Sequence, residues 1–184
     1  LAQYPNRIRS LIQQVGLGHY HVNIACKQGG VDIDDFIPCC NGKPVFASAN
    51  HELWVVLLEK AYAKVKGSYS KIEGGLPYQA FQDLCGGHSY KLKISTMSID
   101  ALWKRLYDAY QSQYCICCGG IRKDHKGLLA SHSYSLLAVV SYHKIDLVKL
   151  RNPHGKGGKE WMGKNSDYDK KKWTEDMTAA LAHT

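Results

Sequence analysis

The stretch that decides the fold is ASHSYSLLAVVSYHKIDLVKLRNPHG, residues 130–155. It contains two strand-like runs, and each run carries a polar residue of catalytic potential at one end. His132 opens the first run and Asn152 closes the second. Because neighbouring antiparallel strands bring their ends together, two residues far apart in sequence can form one hydrogen bond. We therefore expect an imidazole and a carboxamide to meet at one edge of a sheet.

The composition is that of a folded chain without a membrane span. The 184 residues are 45% hydrophobic, which suffices for one domain or two small lobes. No apolar run approaches the roughly 18 residues that a membrane span needs. The N-terminal LAQYPNRIRSLIQQ lacks the apolar region of a signal peptide. The chain starts with Leu in what resembles the middle of an element, so we expect it to be cut from a longer protein.

The net charge of +8 raises the question of an acidic partner. The basic residues are dispersed except in GKGGKEWMGKNSDYDKKKW, residues 155–173. A nucleic-acid or acidic-lipid surface is one interpretation, and a solvated lysine-rich face is the other. The solvated face is favoured because no aromatic-interleaved RNA motif accompanies the charge. We therefore predict no specific nucleic-acid partner.

The seven cysteines do not form a recognisable disulfide framework. Their number is odd, which favours free thiols in a reducing compartment and predicts a cytoplasmic protein. The segment CICC, residues 115–118, suggests zinc, but it lacks a second pair of ligands at the spacing of a zinc finger. We expect these cysteines to be buried thiols of a strand.

The first part of the chain predicts helices around a β ribbon. Residues 6–15 have helical spacing and stop at Gly16, and residues 19–40 contain two β runs around a Gly-Gly turn. The clearest helix is HELWVVLLEKAYAKVKG, residues 51–67. Gly67 is predicted to end this helix. The residues that share its inward face by helical spacing are Leu53, Val56, Leu57, Lys60, Ala61 and Lys64.

The second part predicts a helix followed by an antiparallel sheet. A loop with Gly74 and Gly75, both able to take a positive φ, precedes a short helix or turn closed by Gly86 and Gly87. SIDALWKRLYDAYQSQ, residues 98–113, is amphipathic and has Ser98 as its N-cap. Three strands of one sheet follow. The chain is therefore predicted to be α+β in two pieces, residues 1–75 and residues 76–184.

Five segments in order and in register give this chain a resemblance to the calpain protease core. ELWVVLLEKAYAKVKGSYSKIEGG resembles the calpain helix and its Gly-Gly step, and FQDLCGG resembles the F-x-D-x-x-G-G that follows. HSYSLLAV resembles G-H-A-Y-S-V, LVKLRNPHG resembles L-I-R-L-R-N-P-W-G, and EWMGKNSD resembles E-W-x-G-x-x-S-D. The match runs from about residue 20 to residue 173. It implies a papain-like, two-lobe cysteine protease core, truncated at its N-terminus, with residues 1–75 in lobe 1 and residues 76–184 in lobe 2.

The resemblance gives His132 and Asn152 their expected roles. A cysteine protease attacks through a thiolate, and a histidine takes the thiol proton and later donates it to the leaving amine. An asparagine carbonyl oxygen orients that histidine. Carried over from the family, His132 is the acid and base and Asn152 is its orienter. The substrates implied are proteins or peptides, and the parent chain is expected to have regulatory domains.

The nucleophile of the family is not found in this chain. Calpains place it in a G-D-C-W helix, and none of the seven cysteines here is followed by Trp. We therefore expect a fragment of a calpain-like endopeptidase that hydrolyses no peptide bond by itself. A non-catalytic, protein-binding calpain-like module is the alternative.

The resemblance also implies calcium as the cofactor. Calcium prefers carboxylate and carbonyl oxygens. The family pattern implies one site in each lobe, with Glu52 as a ligand in lobe 1 and Glu160 and Asp167 as ligands in lobe 2. The insertion KGGK before Glu160 adds positive charge beside that loop. A carboxylate at the start of a helix, or in a solvated loop, is the other interpretation of these residues.

Four residues are expected to contact the substrate. In the family, the Gly-Gly step forms one wall of the cleft, and the glycine before the histidine forms the other. These positions are Gly74, Gly75 and Ser131 here, and the Ser131 side chain would narrow the cleft. Calpains have Trp after N-P, where it shields the His–Asn bond. This chain has His154, which covers less area and predicts a weaker catalytic pair.

Overall fold

The computed structural model describes residues 1–47, 52–155, 159–169 and 171–181. His51 at the start of the predicted helix, the end of the predicted extended piece at 48–49, and residues 156–158 of the insertion lie outside them. The described residues form an α+β chain, as predicted. It divides into two compact units, Leu1–Lys91 and Leu92–Thr184. The segment that follows the predicted lobe boundary at residue 75 therefore belongs to the first unit up to Lys91.

The first unit opens with a helix and a three-stranded antiparallel sheet. Its elements are α1 (Pro5–Leu11), β1 (Ile12–Gly16), β2 (His19–Val22) and β3 (Val31–Asp34), in the sheet order β1-β2-β3. The prediction of one helix up to residue 15 was wrong beyond Leu11. Residues 12–16 instead pair with β2, with Ile12 opposite Val22. Gly18, with a φ of 69°, makes the tight turn that this pairing requires.

The predicted hairpin and the following turn are present. β2 and β3 pair from His19 opposite Asp34 to Val22 opposite Val31. A short ribbon of β4 (Cys39–Cys40) and β5 (Lys43–Pro44) follows, closed by the NGK turn. Both cysteines of this ribbon are exposed.

Helix α2 (Leu53–Lys66) packs the core of the first unit, and Gly67 ends it with a φ of 103°. Leu53 is 45% exposed, so its predicted place on the buried face was wrong because it lies in the first turn, outside the packed stretch. The Lys60 and Lys64 ammonium groups donate to the backbone carbonyls of Asp34 and Asp32 in strand β3. The buried cluster consists of Leu11, Val22, Ile24, Ile33, Leu57, Leu58 and Ala61.

Helix α3 (Pro77–Cys85), predicted as a short helix or turn, is held to α2 by one carboxylate. Asp83 Oδ2 accepts from the Tyr62 hydroxyl at 2.7 Å and pairs with Lys66 Nζ at 2.7 Å. Lys66 and Tyr62 together lower the pKa of the Asp83 carboxyl. Because its pKa is lowered by folding, this carboxylate stabilises the first unit at neutral pH, and the stabilisation is lost as the pH falls through the folded-state pKa.

Replacing Asp83 by Asn should lower the free energy of unfolding at pH 7 by about 1–2 kcal/mol, since a charged acceptor shared by two donors is lost. The difference between the two proteins should shrink as the pH falls below the ordinary carboxyl range. Urea unfolding of both proteins at pH 7 and pH 3 measures this. An equal difference at both pH values would contradict the assignment.

The second unit is a helix followed by the predicted sheet. Helix α4 (Ile99–Gln111) is capped by the Ser98 hydroxyl, which accepts from the Ala101 N–H at 3.2 Å. The helical spacing predicts an apolar face of Ile99, Leu102, Trp103, Leu106 and Tyr110. Ile99 is 85% exposed, whereas the other four are half-buried. The sheet is β6 (Ile116–Gly119), β7 (Ser133–Tyr142) and β8 (Ile145–Arg151), all antiparallel in that order, and α5 (Glu175–Ala180) follows. No helix among the described residues is long and apolar enough to cross a membrane.

Candidate active site

The ends of β7 and β8 bring His132 and Asn152 together. His132 comes directly before β7, and Asn152 directly follows β8. Ser135 pairs with Arg151, so the start of one strand lies beside the end of the other. His132 Nε2 lies 2.9 Å from Asn152 Oδ1. The hydrogen bond expected between these two residues is therefore present.

The orientation of the Asn152 carboxamide is fixed by its second partner. Asn152 is 6% exposed, and its Nδ2 donates to the Lys159 carbonyl at 2.9 Å. Its Oδ1 also accepts from the His154 backbone N–H at 3.1 Å. The oxygen therefore faces His132, and the imidazole must donate through Nε2. In the neutral ring, this leaves Nδ1 as the nitrogen that can accept a proton.

Two aromatic rings contact the His132 ring. The His154 ring stacks on it with centroids 4.4 Å apart, and Tyr134 meets it edge-on at 4.9 Å. Tyr134 is 6% exposed, and its hydroxyl accepts from the Leu129 N–H at 2.8 Å. His154 therefore lies at the position from which a larger ring would shield the pair. Its effect on activity stays a prediction.

The neighbouring strand also constrains the backbone of His132. Gly119, at the end of β6, lies so close that a Cβ there would be 2.2 Å from the His132 carbonyl oxygen. The Gly120 N–H donates to that same oxygen at 3.4 Å. A residue without a side chain is thus required beside the histidine.

Ser131 takes a backbone conformation that favours glycine. Its φ is 52°, and its N–H donates to the Ile121 carbonyl at 3.2 Å. A non-glycine residue in this region costs of order 1 kcal/mol. The departure noted in the sequence, serine where the resemblance predicts glycine, therefore falls on a strained position.

Replacing Ser131 by Gly should leave stability equal or raise the free energy of unfolding by up to about 1 kcal/mol, because relief of strain offsets the extra entropy of the unfolded chain. Replacing Ser131 by Val should lower it by more than about 1 kcal/mol. Ala130→Gly is the matched control, because Ala130 has no positive φ; it should be destabilising. Thermal unfolding of the three variants gives the order, and a destabilised Ser131→Gly protein would refute the argument.

The three predicted calcium ligands are exposed, with Glu52 in the first unit and Glu160 and Asp167 in the second. Glu52 is the N-cap of α2, and its Oε2 accepts from the Trp54 indole N–H at 2.5 Å. Glu160 and Asp167 lie in the segment after β8. No group of three or more His, Cys, Asp and Glu residues able to hold a metal occurs among the described residues. Side chains of the described residues alone therefore do not fit a complete calcium site.

Gly74 and Gly75 lie in an exposed loop of the first unit. Both glycines are able to take a positive φ, but neither does so here. No atom lies within 4 Å of the place where a Cβ of either glycine would be. Their backbone is therefore open to a ligand.

Two of the three cysteines of CICC, Cys117 and Cys118, do not have the properties of an activated nucleophile. Cys117 and Cys118 are half-buried in β6, rather than fully buried as predicted. Burial raises the pKa of the Cys118 thiol to about 11 and also raises that of Cys117. At neutral pH both are therefore protonated thiols, and a thiolate is the attacking species. Cys26 and Cys85 are exposed and lie in the first unit.

Sequence reasoning missed three residues that surround the pair: Tyr134, Asp124 and Lys159. Tyr134 lies within the quoted strand, where the alternation of β7 could have placed it beside His132. Lys159 was considered only as part of a positive insertion. Asp124 lies in IRKDHKG, residues 121–127, which carries no periodic signal. Only tertiary structure brings Asp124 and Lys159 to the site.

An α+β fold with a histidine oriented by a buried asparagine is typical of cysteine proteases. Residues 1–183 match the family described as calpain family cysteine protease. The chain belongs to the calpain family. It is 37% identical over 175 residues to the calpain-type cysteine protease ADL1 of Oryza sativa subsp. japonica, and 38% identical over 175 residues to the calpain-type cysteine protease DEK1 of Arabidopsis thaliana. It is 34% identical over 151 residues to the calpain-1 catalytic subunit of Mus musculus.

The alignments cover most of this chain but little of its relatives. They include 86% of the chain and 8% of each plant protein, and 74% of the chain and 21% of the mouse protein. The chain thus spans a small part of the length of these relatives.

Proposed function

We propose that this chain supplies the acid–base half of a calpain-type cysteine endopeptidase. The observation that carries the proposal is the His132–Asn152 hydrogen bond, together with the Lys159 carbonyl that fixes its direction. That direction leaves His132 Nδ1 as the proton acceptor. Family membership supplies the reaction class, which is hydrolysis of peptide bonds in proteins.

In the proposed mechanism, one proton moves through His132. Nδ1 takes the proton of a cysteine thiol, and the thiolate attacks the scissile carbonyl. The imidazolium then gives this proton to the leaving amine as the C–N bond breaks and a thioester forms. Nδ1 next takes a proton from water as the water oxygen attacks the thioester carbonyl; the C–S bond breaks, the peptide acid leaves, and the imidazolium returns this proton to the departing thiolate. Throughout both steps, Asn152 accepts from Nε2 and holds the ring in one orientation.

The nucleophile is proposed to lie in a segment that this chain does not contain. No cysteine here is followed by Trp, and Cys117 and Cys118 are protonated at neutral pH. The 184-residue chain alone is therefore expected to be inactive. In the first unit, the open backbone of Gly74 and Gly75 is proposed to contact substrate. In the second unit, the backbone of Ser131 is proposed to do so, with His154 covering the His–Asn bond. We also propose that the parent protein has regulatory domains and lies in the cytoplasm. The free thiols of Cys117 and Cys118 support a reducing compartment.

The decisive experiment uses a chain extended upstream through the cysteine helix and downstream past Thr184. Cleavage of an unstructured protein should fall by about a thousandfold in His132→Ala, since general acid–base catalysis is lost. His143→Ala is the matched control. His143 is an exposed histidine in the turn at the opposite end of the same strand pair, so its replacement should leave activity unchanged.

Full activity in His132→Ala would refute the assigned role. No cleavage by a folded, complete core would favour the second candidate, a calpain-like module that only binds proteins. The serine at the strained position 131, where the resemblance predicts glycine, is the observation that favours this candidate.

Calcium dependence is proposed for the parent enzyme, with Glu160 and Asp167 as two of the oxygen ligands. The remaining ligands would be backbone carbonyls or groups outside the described residues. Terbium luminescence tests this, because Trp161 directly follows Glu160 and can sensitise a bound ion. Luminescence of the extended chain should fall at least about tenfold in Glu160→Gln, as a charged ligand is lost. Glu175→Gln, in the first turn of α5, is the control. Equal signals in both variants would reject the site.

A further inference from the structure

The loop that leads into His132 packs against the segment that orients Asn152. The backbone carbonyl of Lys126 accepts from the Met162 N–H at 2.8 Å. Gly127, with a φ of 92°, lies so close to Glu160 that a Cβ would be 1.7 Å from its carbonyl oxygen. His125 and Leu128 exchange two backbone hydrogen bonds, which makes the loop a tight turn. The segments 121–131 and 159–162 are thus held together by backbone contacts.

One carboxylate bridges the same two segments. Asp124 Oδ1 accepts from the Ala130 N–H at 2.8 Å, two residues before His132. Asp124 Oδ2 pairs with Lys159 Nζ at 3.0 Å. The pKa of the Asp124 carboxyl is lowered, first by the Ala130 N–H and then by Lys159. Asp124 is therefore ionised at neutral pH, with its two oxygens directed to different segments.

We propose that Asp124 and Lys159 are positioning residues for the His132–Asn152 pair. The Lys159 carbonyl holds Asn152 Nδ2, while the Lys159 ammonium is held by Asp124. The same carboxylate holds the backbone two residues before His132. The Asp124 carboxylate thereby restrains both His132 and Asn152, in each case indirectly. The catalytic consequence rests on the proposed protease function, but the geometric claim does not.

The ion pair acts on orientation and contributes little to global stability. The Asp124 and Lys159 side chains are 50% and 64% exposed. Pairs as exposed as this contribute little to the free energy of unfolding, since water and salt screen them. A purely structural role would change unfolding and leave the His132 hydrogen bond as it is. A positioning role does the reverse.

The test follows the His132 ring by nitrogen-15 NMR in the 184-residue chain. The native protein should show His132 protonated on Nε2, with a slowly exchanging proton. In Asp124→Ala and in Lys159→Met, exchange of that proton should be at least about fivefold faster, as expected when a hydrogen bond of ordinary net strength is weakened. The nitrogen shifts should also move toward a mixture of tautomers. Lys159→Met removes only the exposed ammonium and keeps the carbonyl, so it remains informative if Asp124→Ala fails to fold.

Asp108→Ala is the matched control. It breaks the Lys104–Asp108 pair on α4, which is of the same kind and 60–77% exposed. This variant should keep the native His132 signals. The proposal is overturned if Lys159→Met gives the same signals as Asp108→Ala.

In the extended, cleaving chain, Asp124→Ala and Lys159→Met should lower kcat with KM nearly unchanged. A complete core that cleaves nothing would refute the protease function and leave the NMR result standing. Native His132 signals in Lys159→Met together with an active core would refute only the positioning role.

Discussion

The second unit depends on satisfying one buried carboxamide. Asn152 is almost fully removed from water, and an unpaired polar group there would cost about 1–3 kcal/mol. Its oxygen accepts from His132 and from the His154 backbone, and its nitrogen donates to the Lys159 carbonyl. These three bonds fix the orientation of the carboxamide directly after β8 and thereby which nitrogen of the neutral His132 ring carries the proton. The tautomer of His132 thus follows from the hydrogen-bonding needs of its neighbouring side chain.

In the first unit, an edge strand of the small sheet is covered by lysine side chains of the helix. Strand β3 lies at the edge of the order β1-β2-β3, where free carbonyl groups could pair with another chain. Lys60 and Lys64 of α2 donate to carbonyls of that strand. Their methylene groups extend from the helix toward the sheet, and their ammonium groups donate hydrogen bonds to the strand carbonyls. This explains why lysines occupy positions that helical spacing assigns to an apolar face.

The His–Asn pair could be predicted from sequence because it needs only local information. A strand pattern of period two, a short connection and two polar residues at the ends are all visible in residues 130–155. The end of α1 could not be predicted in this way. Ile12 is as compatible with a helix as with a strand, and its pairing with Val22 decides between them. The contact between Asp124 and Lys159 could not be predicted from the sequence, because residues 35 positions apart share no periodic pattern. Calcium ligands inferred by resemblance likewise depend on partners that sequence spacing does not locate.

The approach of β6 to His132 has a consequence for mutational tolerance. Gly119 carries no functional group, yet its missing side chain is what lets the β6 end pass the His132 carbonyl. Adding one methyl group there would displace either the strand or the histidine backbone. Substitution of Gly119 would therefore alter the His132 backbone although Gly119 has no side chain of its own.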